Sequence, residues 1–380
     1  MFPLLSFEHD DWPALCAKEL AVFAEEVGPE LVEAERAGRF PQEIYREMGR
    51  RGWVGPITPR THGGLGGGVA EYCFLLEEIG RRGLVSTQVS IQGQRWLLDW
   101  GSDAQVDQYL EGIARGEIIF SESISEPGAG SSLKSLASTA TRDGDDWILD
   151  GHKVHVNLGA ESEVTLMYAM APEGLTAFLV DQSSPGVSSS ETSAIGLRLM
   201  PTAEVRFESV RVPSGAVLGE PGRGLETFLS TFNMSRLGNA SELIGYGRRA
   251  MELGIEYAAE RRIGDHPVVG FQGIQWTISE AYERLYAASL ARDHAAGLDD
   301  DLYVHGVETA LAKKLAISAA EYATNEVFAL VGGHGLYTDQ PFSRLLNDTK
   351  VLRVAGGSVE VMRNFIARSV ISGERHGGLA

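Results

Sequence analysis

Ile124-Ser-Glu-Pro-Gly-Ala-Gly-Ser-Ser132 stands where the chain changes character. Before it, residues 8 to 115 read as helices. Leu15, Leu20, Phe23 and Val27 recur at helical spacing, Ile44, Tyr45 and Met48 mark a second helix, and Val69–Arg82 a third. A glycine-dense loop, Gly63 to Gly68, precedes that third helix. Around and after the quoted stretch, from 117 to 220, the runs are short and β-rich. They are Ile118-Ile-Phe, Trp147-Ile-Leu, Val154-His-Val, Val164-Thr-Leu-Met-Tyr, Ala177-Phe-Leu-Val and Val205-Arg-Phe, parted by turn clusters such as Asp143-Gly-Asp-Asp and Val212-Pro-Ser-Gly. That spacing predicts a small sandwich or barrel. Beyond Gly224 four long helical patterns follow, the last three over 269–296, 302–331 and 341–372, and they predict a bundle. The first keeps a face of small residues, including Gly247, Ala250 and Gly254, that lets helices approach closely.

Composition narrows the function classes. The 380 residues carry 33 Lys+Arg against 52 Asp+Glu, a formal charge of −19. Such a surface repels a nucleic-acid duplex and weakly disfavours an anionic membrane. Two cysteines, Cys16 and Cys73, are too few for a disulfide scaffold and are not spaced for a metal site, so no metal is expected. They read as buried thiols of a reducing compartment. The start turns acidic by Glu8 and lacks a basic leader, and no run reaches ~18 apolar residues, so a cytoplasmic location is expected.

Four segments combine glycines with polar side chains. In the opening stretch, glycines let backbone amides face an anion or a ring carbonyl, although a turn between strands needs them equally. Gly151-His-Lys-Val-His-Val-Asn-Leu-Gly159 alternates like a strand and sets His155 and Asn157 on one side, either for a planar ligand or toward solvent. Ser235 and Arg236 open the small-residue helix, with Asn233 or Ser235 as its cap, and on the plain reading Arg236 is a surface charge. In Ala355-Gly-Gly-Ser-Val-Glu-Val-Met-Arg363, a helix ends at the glycines and Ser358 caps the next, whose start is a natural anion site or mere punctuation.

Taken in order, these segments resemble the acyl-CoA dehydrogenase family. The match runs through Ile124-Ser-Glu-Pro-Gly-Ala-Gly-Ser, Asp143-Gly-Asp-Asp-Trp-Ile-Leu-Asp-Gly-His-Lys, Val210-Arg-Val-Pro-Ser-Gly-Ala-Val-Leu-Gly, Tyr257-Ala-Ala-Glu-Arg, Phe271-Gln-Gly-Ile-Gln, Gly332-Gly-His-Gly-Leu-Tyr and Gly357-Ser-Val-Glu-Val-Met-Arg. The resemblance implies an α+β, mainly α fold: an N-terminal helical domain (1–116), a middle β-barrel or sandwich domain (117–222) and a C-terminal four-helix bundle (223–380). It implies a homotetramer or homodimer with one FAD per subunit, and an acyl thioester substrate carried by CoA or a carrier protein. By the same resemblance Ile124 and Ser125 contact the flavin ring, and Gly130 and Ser131 form the turn near FAD and thioester. His155 and Asn157 replace the family's tryptophan and threonine at the flavin. Arg261 and Gln272 reach FAD from the neighbouring subunit, Gly333, Ser358 and Glu360 surround its pyrophosphate and adenosine end, and Arg236 matches the arginine of the active-site helix.

The chain departs from the family where the α-proton is removed. Both positions the family uses for its glutamate base are empty here, one being Gly356 and the other Ser235. A positioned base contributes ~10²–10⁴-fold, so the loss matters. Glu242, seven residues after Ser235 and on the same helical face, is the replacement expected, unless it merely pairs with Arg248 or Arg249; His155 is a second candidate. Three functions remain open: dehydrogenation with a non-standard base, other flavin chemistry such as hydroxylation or elimination, and a silent FAD-binding subunit. Thioester-driven flavin bleaching separates the first from the rest.

Overall fold

The computed structural model describes residues 12–130, 132–298 and 305–373. Five helices come first: α1 (Trp12–Ala37), α2 (Gln42–Arg50), α3 (Val69–Arg82), α4 (Gln88–Trp100) and α5 (Asp103–Ala114). Leu20, Phe23, Tyr45, Met48, Tyr72 and Leu76 bury one face of each of the first three into a shared core. Both cysteines lie in that core as free thiols, and burial above all pushes each up to about 12.

Seven strands follow: β1 (Phe120–Ser123), β2 (Thr139–Asp143), β3 (Asp146–Asn157), β4 (Val164–Ala171), β5 (Gly174–Asp181), β6 (Val187–Thr192) and β7 (Thr202–Val212). They form one sheet in the order β1-β4-β2-β3-β7-β6, with β5 paired to β4. The β1–β4 pair is parallel and the β3–β7 pair antiparallel. Two sequence expectations change here. Trp147-Ile-Leu and Val154-His-Val belong to one strand, β3, because the Asp150-Gly pair between them makes a bulge and not a turn. Strands β2 and β6 give no apolar run; β6 buries none of its residues and is held by its pairing to β7.

The remaining helices are α6 (Gly224–Glu260), α7 (Gln272–Ala296), α8 (Gly306–Val331), α9 (Pro341–Val354) and α10 (Val359–Ser372). The 341–372 pattern is thus two helices, parted at Gly356 and Gly357, both at positive φ. A short ribbon, Arg262–Ile263 with His266–Pro267, joins α6 to α7. Small residues on α6 do bring helices close. A methyl on Gly245 would overlap the Glu77 carbonyl of α3, and one on Gly80 would stand 2.8 Å from the Glu242 carbonyl. At this crossing Glu77 is held between Arg292 (2.7 Å) and Arg248, both from the C-terminal helices. The crossing sets the spacing of the site, because α6 carries Ser235, Arg236 and Glu242.

Candidate functional site

The Ile124–Ser132 loop is tied down by a buried ion pair. Glu126 accepts from Lys153 Nζ at 2.8 Å, Ala137 N at 2.6 Å and Ser138 Oγ at 2.6 Å. Lys153, fully buried on β3, also donates to the Ile124 carbonyl at 3.2 Å and the Tyr168 carbonyl at 2.7 Å. Desolvation pushes the Glu126 carboxyl up, but the Lys153 ammonium, the Ser138 hydroxyl and the Ala137 amide outweigh it and hold it at about 2. Ser125 accepts from Val154 N at 2.8 Å, so loop and strand are stitched together. Among the described residues no other group stands within 4 Å of a methyl built on Gly128 or Gly130, which leaves that backbone open to a flat ligand. Ser131 lies outside the described residues.

On β3 an extra residue between Lys153 and Val156 bulges the strand and puts His155 at φ 58°, exposed. Asn157 pairs with Thr202 at the end of β3 and is half-buried. Both lie on the strand whose Lys153 and Val154 hold the loop.

Helix α6 begins at Gly224, so Asn233, Ser235 and Arg236 sit inside it and none caps it. The stretch Leu225 to Met234 has no breaker, and its Thr227, Leu229, Thr231 and Met234 are buried. Arg236 is no surface charge, being 1 % exposed. Its guanidinium lies between the rings of Phe232 (4.5 Å) and Phe365 (5.0 Å), and Nη1 donates to Asn233 Oδ1 at 2.8 Å. Nε and Nη2 are buried and have no partner among the described residues. Burial pulls Arg236 down to about 10, which leaves it charged at neutral pH.

The two empty glutamate positions face each other. A methyl on Gly356 would stand 3.3 Å from Ser235 Oγ and 3.3 Å from Lys313 Nζ, and it would overlap Asn239 Nδ2. Lys313 is fully buried on α8 and donates to the Gly357 carbonyl at 2.9 Å and to the Ala355 carbonyl. Burial, and then the Arg236 charge, pull its amine well below the usual lysine value. Opposite, Gln88 Nε2 donates to Ser235 Oγ at 3.2 Å and to the Ser235 carbonyl at 3.1 Å.

Glu242 lies one step behind this point. Its carboxylate accepts from the Ser86 hydroxyl and from Tyr246, and not from Arg248 or Arg249. Arg248 is taken up by Glu77 and Glu78, and Arg249 lies 3.9 Å from Glu252. The Gln88 main-chain N–H donates to Ser86 Oγ at 3.4 Å, while its side-chain Nε2 donates to Ser235, so Gln88 stands between the Glu242–Ser86 pair and Ser235 through two separate groups. Burial, opposed by Ser86 and reinforced by Asp348, pushes Glu242 up to about 7.

The other expected cofactor residues lie apart. Arg261 ends α6, Gln272 opens α7, and Gly333 follows α8; all three are exposed, amid exposed Ile263, Phe271, Trp276, Leu336 and Tyr337. Ser358 caps α10 by accepting from Val361 N at 3.4 Å, while Glu360 is exposed and 3.8 Å from Arg353. Sequence reasoning missed Gln88, Asn239 and Lys313. One weak signal existed, since Lys313 falls on the helical face of Ala310, Ala316, Ile317 and Ala320 in a chain with only six lysines.

A flavin suits these residues on two counts: the open backbone at Gly128 and Gly130 and the unpartnered donors of buried Arg236. Residues 15–117, 121–210 and 222–371 match, in turn, the N-terminal, middle and C-terminal domains of acyl-CoA dehydrogenase. The chain is 31 % identical over 361 residues to the 3-(aryl)acrylate reductase of Clostridium sporogenes, covering 92 % of this chain and 96 % of the relative. It is 29 % identical to the acryloyl-CoA reductase (NADH) of Anaerotignum propionicum, covering 92 % of each. Among solved structures, a glutaryl-coenzyme A dehydrogenase with glutaryl-CoA superposes with a TM-score of 0.93 at 27 % identity over 98 % of each chain. The protein belongs to the acyl-CoA dehydrogenase family, an FAD-dependent family of oxidoreductases acting on CH–CH groups.

Proposed function

We propose that this protein exchanges a hydride and a proton across the Cα–Cβ bond of an acyl thioester, with CoA or a carrier protein as the thiol and without a glutamate at either usual base position. The observation that carries this reading is the meeting of Ser235, Gly356, Asn239 and Lys313 at one buried point beside Arg236. Bound here, FAD supplies the two-electron acceptor or donor. Ile124, Ser125, Gly130, Ser131, His155 and Asn157 would hold its ring end. Arg261, Gln272, Gly333, Ser358 and Glu360 would hold its far end across a homodimer or homotetramer contact. The exposed apolar residues around Arg261 and Gln272 support that contact.

The proton is stored on Glu242 and relayed by the Ser86 hydroxyl, which hands its own proton to the carboxylate as it takes one from the substrate side; the Gln88 main-chain N–H only orients that hydroxyl. Two observations support this: the carboxyl is raised to about 7, near operating pH, and Ser86 stands between it and Gln88. Two of the relatives are reductases by name, which favours reduction of an α,β-unsaturated thioester as the working direction. The purified holoprotein, mixed anaerobically with a panel of saturated acyl thioesters, should lose its oxidised-flavin absorbance with at least one. In the dithionite-reduced protein, the matching enoyl thioester should restore it. A panel that leaves both spectra unchanged would reject the reading.

A glutamate cannot simply be put back. Gly356 has φ 63° and its Cβ position is taken by the Asn239 amide. A side chain in this region costs about 1–3 kcal/mol in strain alone. We expect Gly356→Glu to lower stability by at least that much without speeding anaerobic flavin reduction. Gly356→Glu with Asn239→Ala should recover only the part of the loss due to the overlap, the backbone strain remaining, and should gain rate. A single variant that is both stable and faster would contradict the steric account.

A further inference from the structure

On β1, Glu122 points to the same side as Phe120 and Ile124, since side chains alternate along a strand. That side packs on Leu166 and Tyr168 of β4 and on Phe228 of α6. Two polar atoms on this wall have no partner among the described residues: Glu122 Oε1 and the Tyr168 hydroxyl, both buried. Orphaned buried groups of this kind are rare and call for an occupant. Their position is informative. The Tyr168 ring meets Phe228 at 5.9 Å, Phe228 meets Phe232 at 5.1 Å, and Phe232 lies under Arg236 and 3.4 Å from a methyl built on Gly357. An aromatic wall thus leads from Glu122 and Tyr168 to the point where Ser235, Gly356 and Lys313 meet.

We infer that Glu122 and Tyr168 form the polar end of the acyl-binding pocket and select acyl groups that carry a hydrogen-bonding substituent, such as a hydroxyl, over plain alkyl chains. This rests on the proposed thioester reading. A substituent with a donor and an acceptor satisfies both atoms, whereas an alkyl tail leaves both desolvated and unpaired, and that penalty works against it. Burial alone pushes the Glu122 carboxyl up to about 8, so at neutral pH it keeps its proton and can donate as well as accept.

The test is equilibrium binding to the oxidised holoprotein, read from the flavin spectrum. It uses an alkyl acyl-CoA and its hydroxylated analogue of equal length over a series of chain lengths. The wild type should prefer the hydroxylated member by about tenfold at one length, the worth of one good hydrogen bond. Tyr168→Phe, which removes one oxygen, should shrink that ratio, and Glu122→Leu should invert it. A wild-type preference for alkyl chains at every length would overturn the inference. So would a ratio unchanged in both variants, and a drop in flavin content at constant ratio would assign the two atoms to the cofactor instead. Failure of the proposed chemistry is read separately, as tight binding of thioesters without bleaching.

Discussion

Glu242→Gln is expected to slow anaerobic flavin reduction by a productive acyl thioester by about 10²- to 10⁴-fold, the usual worth of a positioned proton acceptor. The wild-type rate should rise with pH as Glu242 ionises near 7, and the variant should lose that limb. Stability should move the other way. The folded carboxyl is raised to about 7, above its ordinary value near 4.5. Between those values the folded state holds a proton that the unfolded state has lost. Folding stability therefore declines as pH rises through this window and levels off above it. The loss is on the order of 3 kcal/mol at full ionisation. Glutamine does not ionise, so the variant should gain stability relative to wild type between pH 5 and pH 8, measured by urea unfolding. A proton store yields both the kinetic and the stability change, whereas a purely structural acid yields only the second. An unchanged reduction rate would remove Glu242 from the reaction.

Lys153→Met is expected to be the most damaging single change to the flavin loop. Removing one partner of a buried ion pair costs about 3–5 kcal/mol, because the other charge stays behind unpaired. Here the charge left behind is Glu126, 7 % exposed and two residues from Ile124. Its depressed value near 2 contributes stability that is present above the ordinary carboxylate range and fades as pH falls toward 2. The deficit of the variant against wild type should therefore be largest at neutral pH and shrink as pH falls toward 2. The variant should also emerge from purification with less bound flavin, since Lys153 holds the Ile124 carbonyl. Adding Glu126→Gln should recover much of the stability but not the flavin, because the loop still lacks its anchor. Wild-type flavin content in Lys153→Met would show that the pair does not shape the cofactor site.

Much of this architecture is legible in the chain. Val69–Arg82 reads as a helix and is one, because its apolar residues keep a strict helical period between a glycine start and a glycine stop. The family's motifs are legible for a related reason: turns and caps restrict residue type at fixed positions. Strand β6, Val187-Ser-Ser-Ser-Glu-Thr192, is not legible, since its only reason to be a strand is the backbone of β7 beside it. The empty base positions are visible in the sequence, but what fills them is not. Asn239 takes the space of a Gly356 side chain from 117 residues away, and Ser86 reaches Glu242 across 156. The mid-helix place of Arg236 was likewise hidden, because a helix that starts at Gly224 has no side-chain cap to announce it.

The overlap at Gly356 has a consequence for how this protein can change. Residues 239 and 356 behave as a lock with an order of opening. While asparagine holds 239, any side chain at 356 must displace the Asn239 amide from its place beside the Ala355 carbonyl and must also adopt a left-handed backbone. A step-by-step route to a carboxylate at 356 is therefore easier through a smaller residue at 239 first, a step that brings no catalytic gain by itself. A selection for faster turnover that randomises 356 alone should return glycine, while one that randomises 239 and 356 together has a path open.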